Sequence, residues 1–207
     1  MNFVNSATRA LVPVAMIAAV SGVALAAPSG DLKLVEASLG ATQSMTANFV
    51  QTDGRGRQIA GTLSLKRPGK IRFAYGGGVN ALLVADGKTL HYLDYDVGQH
   101  SKWSIGKSPL AVLLSPAPDL TRIARVVPSD NPQVVVVRAR DARRPEFGTL
   151  ILAFLRNGAA PGGLRLEGWT AIDAQNKKTT VRLSNQRFNV AVPDSAFGFT
   201  EPKRKKA

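Results

Sequence analysis

From Gly61 to Tyr75 apolar and polar residues alternate twice, with a break between the two runs. Leu63 and Leu65 point one way while Thr62, Ser64 and Lys66 point the other; Ile71, Phe73 and Tyr75 then alternate with Lys70, Arg72 and Ala74. A period of two marks a half-buried strand. The break, Arg67-Pro68-Gly69, joins a residue that fixes φ to one that accepts positive φ, and so predicts a hairpin turn. Two strands thereby put five bulky apolar side chains on one face, with Arg67 at the bend.

The same pattern organises most of the chain. Ser29–Gly40 predicts a helix: Ser29 can cap it, Leu32, Val35 and Leu39 share a face with Glu36, and Gly40 stops it. Met45–Gln51 predicts a first strand, turning at Asp53–Gly56 into Arg57–Lys66. Asn80–Ala85 and Thr89–Asp94 flank Asp86-Gly87, a strong hairpin signal, and Gln99–Ser104 follows as another strand. At Pro109–Ser115 the period changes, because Leu110, Val112, Leu113 and Leu114 make about two nearly all-apolar helical turns. Such a short helix is marginal alone and needs an apolar surface to lie on. Strands resume over Ile123–Val127, Val134–Arg140, Thr149–Arg156, Leu164–Ala174 and Lys178–Phe188, and Pro193–Ala196 is one helical turn. About eleven antiparallel strands at this spacing, with few helices, predict a mainly β chain forming a barrel or a strongly curved sheet.

Composition narrows the class. Arg9, the apolar run Leu11–Ala26 and the small residues of Ala24-Leu25-Ala26 predict a secretory signal peptide over residues 1–26, cleaved after Ala26. The run is short for the ~20 residues of a membrane span. Residues 27–202 are then one domain, and 203–207 a basic tail. No cysteine is present, which excludes disulfides, thiol catalysis, thiolate metal sites and an N-terminal lipid anchor. The formal net charge is +13, four charges of it in Lys203-Arg204-Lys205-Lys206. Outside the cytoplasm nucleic acid is not the partner, so anionic lipid headgroups or acidic proteins are the targets to expect, or the charge serves solubility alone.

Chemistry is sparse. His91 and His100 sit in adjacent strand segments, where a metal pair or simple paired histidines are both readings, and no spaced carboxylate or thiolate completes a site. Gly106-Lys107-Ser108 resembles the end of a phosphate-binding loop but has Ser101 where its first glycine should stand. Asp94-Tyr95-Asp96 reads as a polar turn rather than a cation site. No nucleophile elbow is present, so no enzyme activity and no cofactor are expected. The inward face predicted by alternation carries Phe49, Leu63, Leu65, Ile71, Phe73, Leu83 and Leu90. Read from the residues alone, these make either an ordinary core or the wall of an apolar cavity.

The Gly61–Tyr75 stretch resembles the LolA family of periplasmic lipoprotein carriers. Leu82–Leu90 is similar to that family's next strand–turn–strand, and Thr180–Asn185 with Asn189, Asp194 and Phe197 to its closing segment. The resemblance implies a LolA-like incomplete antiparallel β-barrel covered by a helical lid, with Leu110, Leu113 and Leu114 on the lid. It implies that the empty barrel is held shut by Arg67, whose guanidinium hydrogen-bonds lid backbone. Phe73 and Ile71 stand where the family commonly has tryptophan and phenylalanine, and aromatics are 6% of the chain, so an aliphatic cavity is expected. The implied protein is a monomeric periplasmic chaperone for outer-membrane biogenesis. It takes acylated lipoproteins from an inner-membrane ABC transporter of the LolCDE type and passes them to a LolB-like outer-membrane acceptor. The alternatives are a carrier of a glycolipid or hopanoid-like molecule, or a lipid-sensing regulator of the RseB type.

Overall fold

The structure, a computed structural model, describes residues 29–108 and 110–203. The expected signal peptide and all of the basic tail except Lys203 lie outside the described residues. The described residues begin with helix α1 (Ser29–Ala41) and continue through β1 (Ser44–Thr52), β2 (Gln58–Lys66), β3 (Lys70–Tyr75), β4 (Ala81–Asp86), β5 (Thr89–Asp94) and β6 (Gln99–Ser104). A short helix α2 (Ala111–Leu114) precedes β7 (Ala124–Val127), β8 (Val134–Ala139), β9 (Thr149–Arg156), β10 (Leu164–Ile172) and β11 (Lys178–Phe188). All eleven strands join one antiparallel sheet in the order β6-β5-β4-β3-β2-β1-β11-β10-β9-β8-β7. The strands fall within two residues of the predicted ends. The lid helix is shorter than its apolar run predicts, with four helical residues.

Two meanders, β1–β6 and β7–β11, are welded where β1 pairs with β11. The first strand in the chain is therefore the middle strand of the sheet. The outermost strands, β6 and β7, are neighbours only to β5 and β8, so the sheet curls without closing. Two irregularities help it curl: the register slips between Thr46 and Asn48 against β11, and between Leu166 and Gly168 against β9. An extra residue in one strand bends it and increases the local twist.

The concave face holds the main core. One inward row runs through paired residues from Met45 to Leu65, Ile71, Ala85, Leu90 and finally Trp103, which is 49% exposed at the open β6 edge. β8–β10 contribute the opposite wall, with Val137, Leu152, Phe154, Leu164 and Trp169 all buried. α1 lies across the β10 side, burying Val35 and Leu39. At Gly162, φ is +65° and an added Cβ would lie 2.5 Å from Ser38 Cα, so only glycine lets the β9–β10 turn touch the helix this closely.

The convex face is covered in one place. Leu82, Val84 and Leu93 pack against Val192 and Phe197 of the segment that follows β11, whose 3-10 turn spans Asp194–Phe197. That segment is tied down by Asp194, which accepts from Lys66 (2.8 Å) and Lys70 (3.0 Å), and by Gly198, whose carbonyl accepts from Arg72 (2.8 Å).

Candidate functional site

The β2–β3 turn brings Arg67 between the two helices. Its Nε donates to the Ser115 carbonyl (2.9 Å), Nη2 to the Leu113 carbonyl (2.7 Å) and Nη1 to the Thr42 carbonyl. Its backbone N–H donates to Gln43 (2.8 Å), and that of Gly69 to Leu114 (3.1 Å). Thr42 and Gln43 follow the end of α1; Leu113, Leu114 and Ser115 end α2. Helix ends leave carbonyls without intrahelical partners, and a guanidinium with five fixed donors suits several of them at once. Arg67 is 7% exposed and, among the described residues, pairs with no carboxylate. Burial brings its pKa down to about 10, which still leaves it charged at neutral pH. A buried charge is costly unless hydrogen-bonded, and here backbone carbonyls supply the compensation. Gly69 completes the joint: with φ +75°, an added Cβ would stand 2.7 Å from the Gly87 carbonyl of the next hairpin.

Beneath this joint the interior is nearly full. The residual cavity is about 20 Å³, bordered by Met45, Leu65, Arg67, Ile71, Leu113 and Trp169 among others, which is room for about one water. Phe49, Leu63, Leu65, Ile71, Phe73 and Leu90 are all buried in this core, while Leu83 is half-buried and packs on its edge. On the lid helix itself Leu113 and Leu114 are buried against this core, and Leu110 is half-buried just before it. The sequence-derived residues are thus in one place, but as a close-packed core rather than the wall of an open space.

The expectation of an aliphatic interior is corrected. Trp169, Phe73, Phe49 and Tyr75 form an edge-to-face chain with centroids 6.0, 5.2 and 5.5 Å apart. Burial pushes the Tyr75 hydroxyl up to about 12, aided by Tyr92, and it donates to Gln51 Oε1 (3.0 Å). Phe154 is buried in the same core. The alternation Leu150, Leu152, Phe154 places Phe154 inward from sequence, but Trp169 is out of phase with Leu164 and Leu166 and turns inward only because the register slips between Leu166 and Gly168. Nothing local signalled Ser38, whose Oγ donates to the Leu164 carbonyl (2.8 Å), or Glu36, which accepts from the Leu120 N–H (2.7 Å) just after the lid.

The histidines face each other, His91 Nδ1 lying 3.0 Å from His100 Nε2. Their other nitrogens meet Asp86 (3.2 Å) and Glu201 (2.6 Å). The four groups form a line rather than converging on a point, and no group of three or more ligand side chains that could hold a metal occurs among the described residues. Asp194 and Asn189, which carried part of the family resemblance, are structural joints: Asn189 accepts from the Gln43 N–H (2.8 Å) and donates to the Ala41 carbonyl (3.1 Å).

A curled, unclosed β-sheet around an apolar interior, covered by a short helix, defines the class of lidded incomplete barrels. A profile of the LolA family, described as outer membrane lipoprotein carrier protein LolA, matches residues 40–200, and the chain belongs to that family. It is 30% identical over 189 residues to the outer-membrane lipoprotein carrier protein of Bordetella avium, covering 86% of this chain and 87% of that one. It is 27% identical to the protein of the same name from Chromobacterium violaceum, covering 94% and 96%. In fold it resembles a DUF1329 family protein of Desulfovibrio piger, with a TM-score of 0.54 at 9% identity over 84% of this chain and 97% of that one. An uncharacterized conserved protein of Thermus thermophilus is similar to a like degree, with a TM-score of 0.51 at 9% identity over 84% and 97%.

Proposed function

We propose that the protein is a non-enzymatic periplasmic carrier, exported by a signal peptide cleaved after Ala26. It takes the acyl chains of lipoproteins released from the inner membrane by a LolCDE-type transporter into the barrel interior and delivers them to a LolB-like acceptor at the outer membrane. The observation that carries this reading is Arg67, a buried charge bonded to the ends of both helices rather than to a carboxylate. A core needs no such joint; a lid that must leave and return does. The interior has no space for an acyl chain until the lid lifts. Lifting exposes Leu113 and Leu114, at about 1.5–3 kcal/mol for each fully exposed side chain, while each buried acyl methylene returns about 0.8 kcal/mol. With about 1.5–3 kcal/mol more for the Arg67 bonds, roughly six to eleven buried methylenes offset opening, so a long acyl chain opens the lid and a short amphiphile does not.

The test is co-purification from periplasm followed by mass spectrometry of the bound material. Acylated lipopeptides are expected. Recovery of only free lipids would overturn the lipoprotein cargo, and a carrier that never acquires acyl material in a loading assay would overturn the interior as the binding site.

A further inference from the structure

Helix α2 divides two spaces. On one side Leu113 borders the residual interior cavity; on the other Ala111 and Val112 border an open groove of about 140 Å³. The groove's floor includes Ile123, Ala139 and Leu150. Ala139 and Leu150 belong to the concave-face core, so the groove runs from solvent to the apolar interior beside the lid. Its rim carries Arg140 and Arg144, together with Asp141. The Arg140 N–H donates to the Ile123 carbonyl (2.7 Å), which fixes a cationic residue next to the apolar floor.

The charge here is one-sided. Between Arg122 and Arg144 there are six arginines, two carboxylates and no lysine. Among the described residues only Arg144 of the six has a carboxylate partner, Asp141 at 3.1 Å. Arg125 and Arg138 stand directly opposite each other across β7 and β8, a pairing of like charges that costs stability. A charged edge strand discourages edge-to-edge aggregation, which accounts for Arg125 on β7 but not for guanidinium groups on the rim of an apolar groove. Arginine, with its planar fork, matches phosphate oxygens in pairs where a lysine offers a point charge. An acidic protein segment would satisfy the rim and leave the floor uncovered; an anionic amphiphile covers both.

We propose that this groove binds an anionic phospholipid, its phosphate on Arg140 and Arg144 and the first methylenes of its acyl chain on Val112 and Ile123. The carrier then touches the membrane on the side where its lid lifts; only this last point rests on the carrier function, since the lipid site stands on its own geometry.

The experiment is vesicle flotation of the protein from Ala27 onward, the mature form proposed above, with phosphatidylcholine alone and with a phosphatidylcholine–phosphatidylglycerol mixture. Wild type is expected to float only with the mixture. R140Q/R144Q should bind roughly tenfold or more weakly, as two basic residues near an anionic surface warrant. R182Q/R187Q, which removes two exposed arginines from β11, should bind like wild type, and V112S should bind less without a change of charge. Thermal midpoints equal to wild type establish that each variant is folded. Equal loss in both arginine pairs would mean unspecific charge attraction and overturn the site. Competition by inorganic phosphate as effective as that by phosphatidylglycerol would reduce it to a free-anion site, and binding of polyglutamate without vesicle binding would make it a docking surface for acidic protein; either result overturns the lipid. Lipopeptide transfer between detergent-solubilised donor and acceptor needs no bilayer, so its failure would sink the carrier function and leave the groove untouched.

Discussion

Arg67 and Asp86 show how single residues hold this fold at opposite costs. Arg67 is desolvated and gains from three backbone carbonyls; removing hydrogen bonds to a charged group costs about 1.5–3 kcal/mol. Arg67→Leu is therefore expected to populate the open empty state roughly tenfold or more relative to wild type, at tenfold per about 1.4 kcal/mol. Acyl loading should persist or improve, and release to an acceptor should fail, because closing no longer repays the loss of cargo contacts. Arg67→Lys should be partly defective, since an ammonium cannot reproduce the fork. Loading and transfer measured separately check this; equal transfer by Arg67→Leu and wild type would rule the latch out. Asp86 is exposed but bonded: partial burial pushes its carboxyl up, while the Thr89 and Lys88 N–H groups and the His91 ring outweigh burial and hold it at about 2. An unfolded aspartate titrates near 3.9. Its contribution to stability is thus complete above about pH 4 and is lost as pH falls through about 2. Asp86→Asn should flatten the fall of the thermal midpoint across that window, and an unchanged acid profile would refute the assignment.

At the scale of elements, two short pieces are held by different forces. α2 has too few residues to persist alone; it exists because Leu113 and Leu114 are buried and because the β2–β3 turn takes up its last carbonyls. The segment after β11 is held mainly by apolar contact. Phe197 is buried against Leu82, Val84 and Leu93, whereas Glu201, which meets His100, is largely exposed. Truncating a buried phenylalanine costs about 3–5 kcal/mol, and a single hydrogen bond contributes about 1 kcal/mol net. Phe197→Ala is accordingly expected to lower the unfolding free energy by about 3 kcal/mol or more and Glu201→Gln by less than about 1 kcal/mol, measured by denaturant titration. Comparable losses would show that the polar ties, not the apolar face, retain the segment.

For the whole molecule, the unclosed sheet matters most. A sheet whose edge strands were paired to each other would have a fixed interior, whereas β6 and β7 are not paired with each other; if the lid opens as proposed, these are the strands that would separate. The protein has two tryptophans, Trp169 lining the interior cavity and Trp103 half-exposed on the β6 edge. With Trp103→Phe as background, Trp169 fluorescence should be quenched by lipopeptide carrying a brominated acyl chain and left unchanged by the brominated headgroup fragment alone. Absence of quenching in a protein that demonstrably holds cargo would place the acyl chains elsewhere.

Much of this was legible from local pattern. The two-residue period of Leu63, Leu65, Ile71 and Phe73 sufficed for the central hairpin and for its inward face, because a strand's side-chain direction depends only on its own pleat. Arg67-Pro68-Gly69 and Asp86-Gly87 marked turns for equally local reasons, and the apolar run around Leu113 demanded a surface to cover. What the tertiary structure alone decided is non-local. The pairing of β1 with β11 joins segments more than a hundred residues apart in sequence, and no periodicity within either strand names its partner. The aromatic chain from Tyr75 to Trp169 forms only once that weld brings the two meanders face to face. The reach of Arg67 to Thr42 on one side and Leu113 on the other, and the arginine-rimmed groove beside the lid, likewise depend on where the curled sheet stops. Local chemistry determines which residues become strands and turns; the entropy-costly closure between distant segments determines which of them meet.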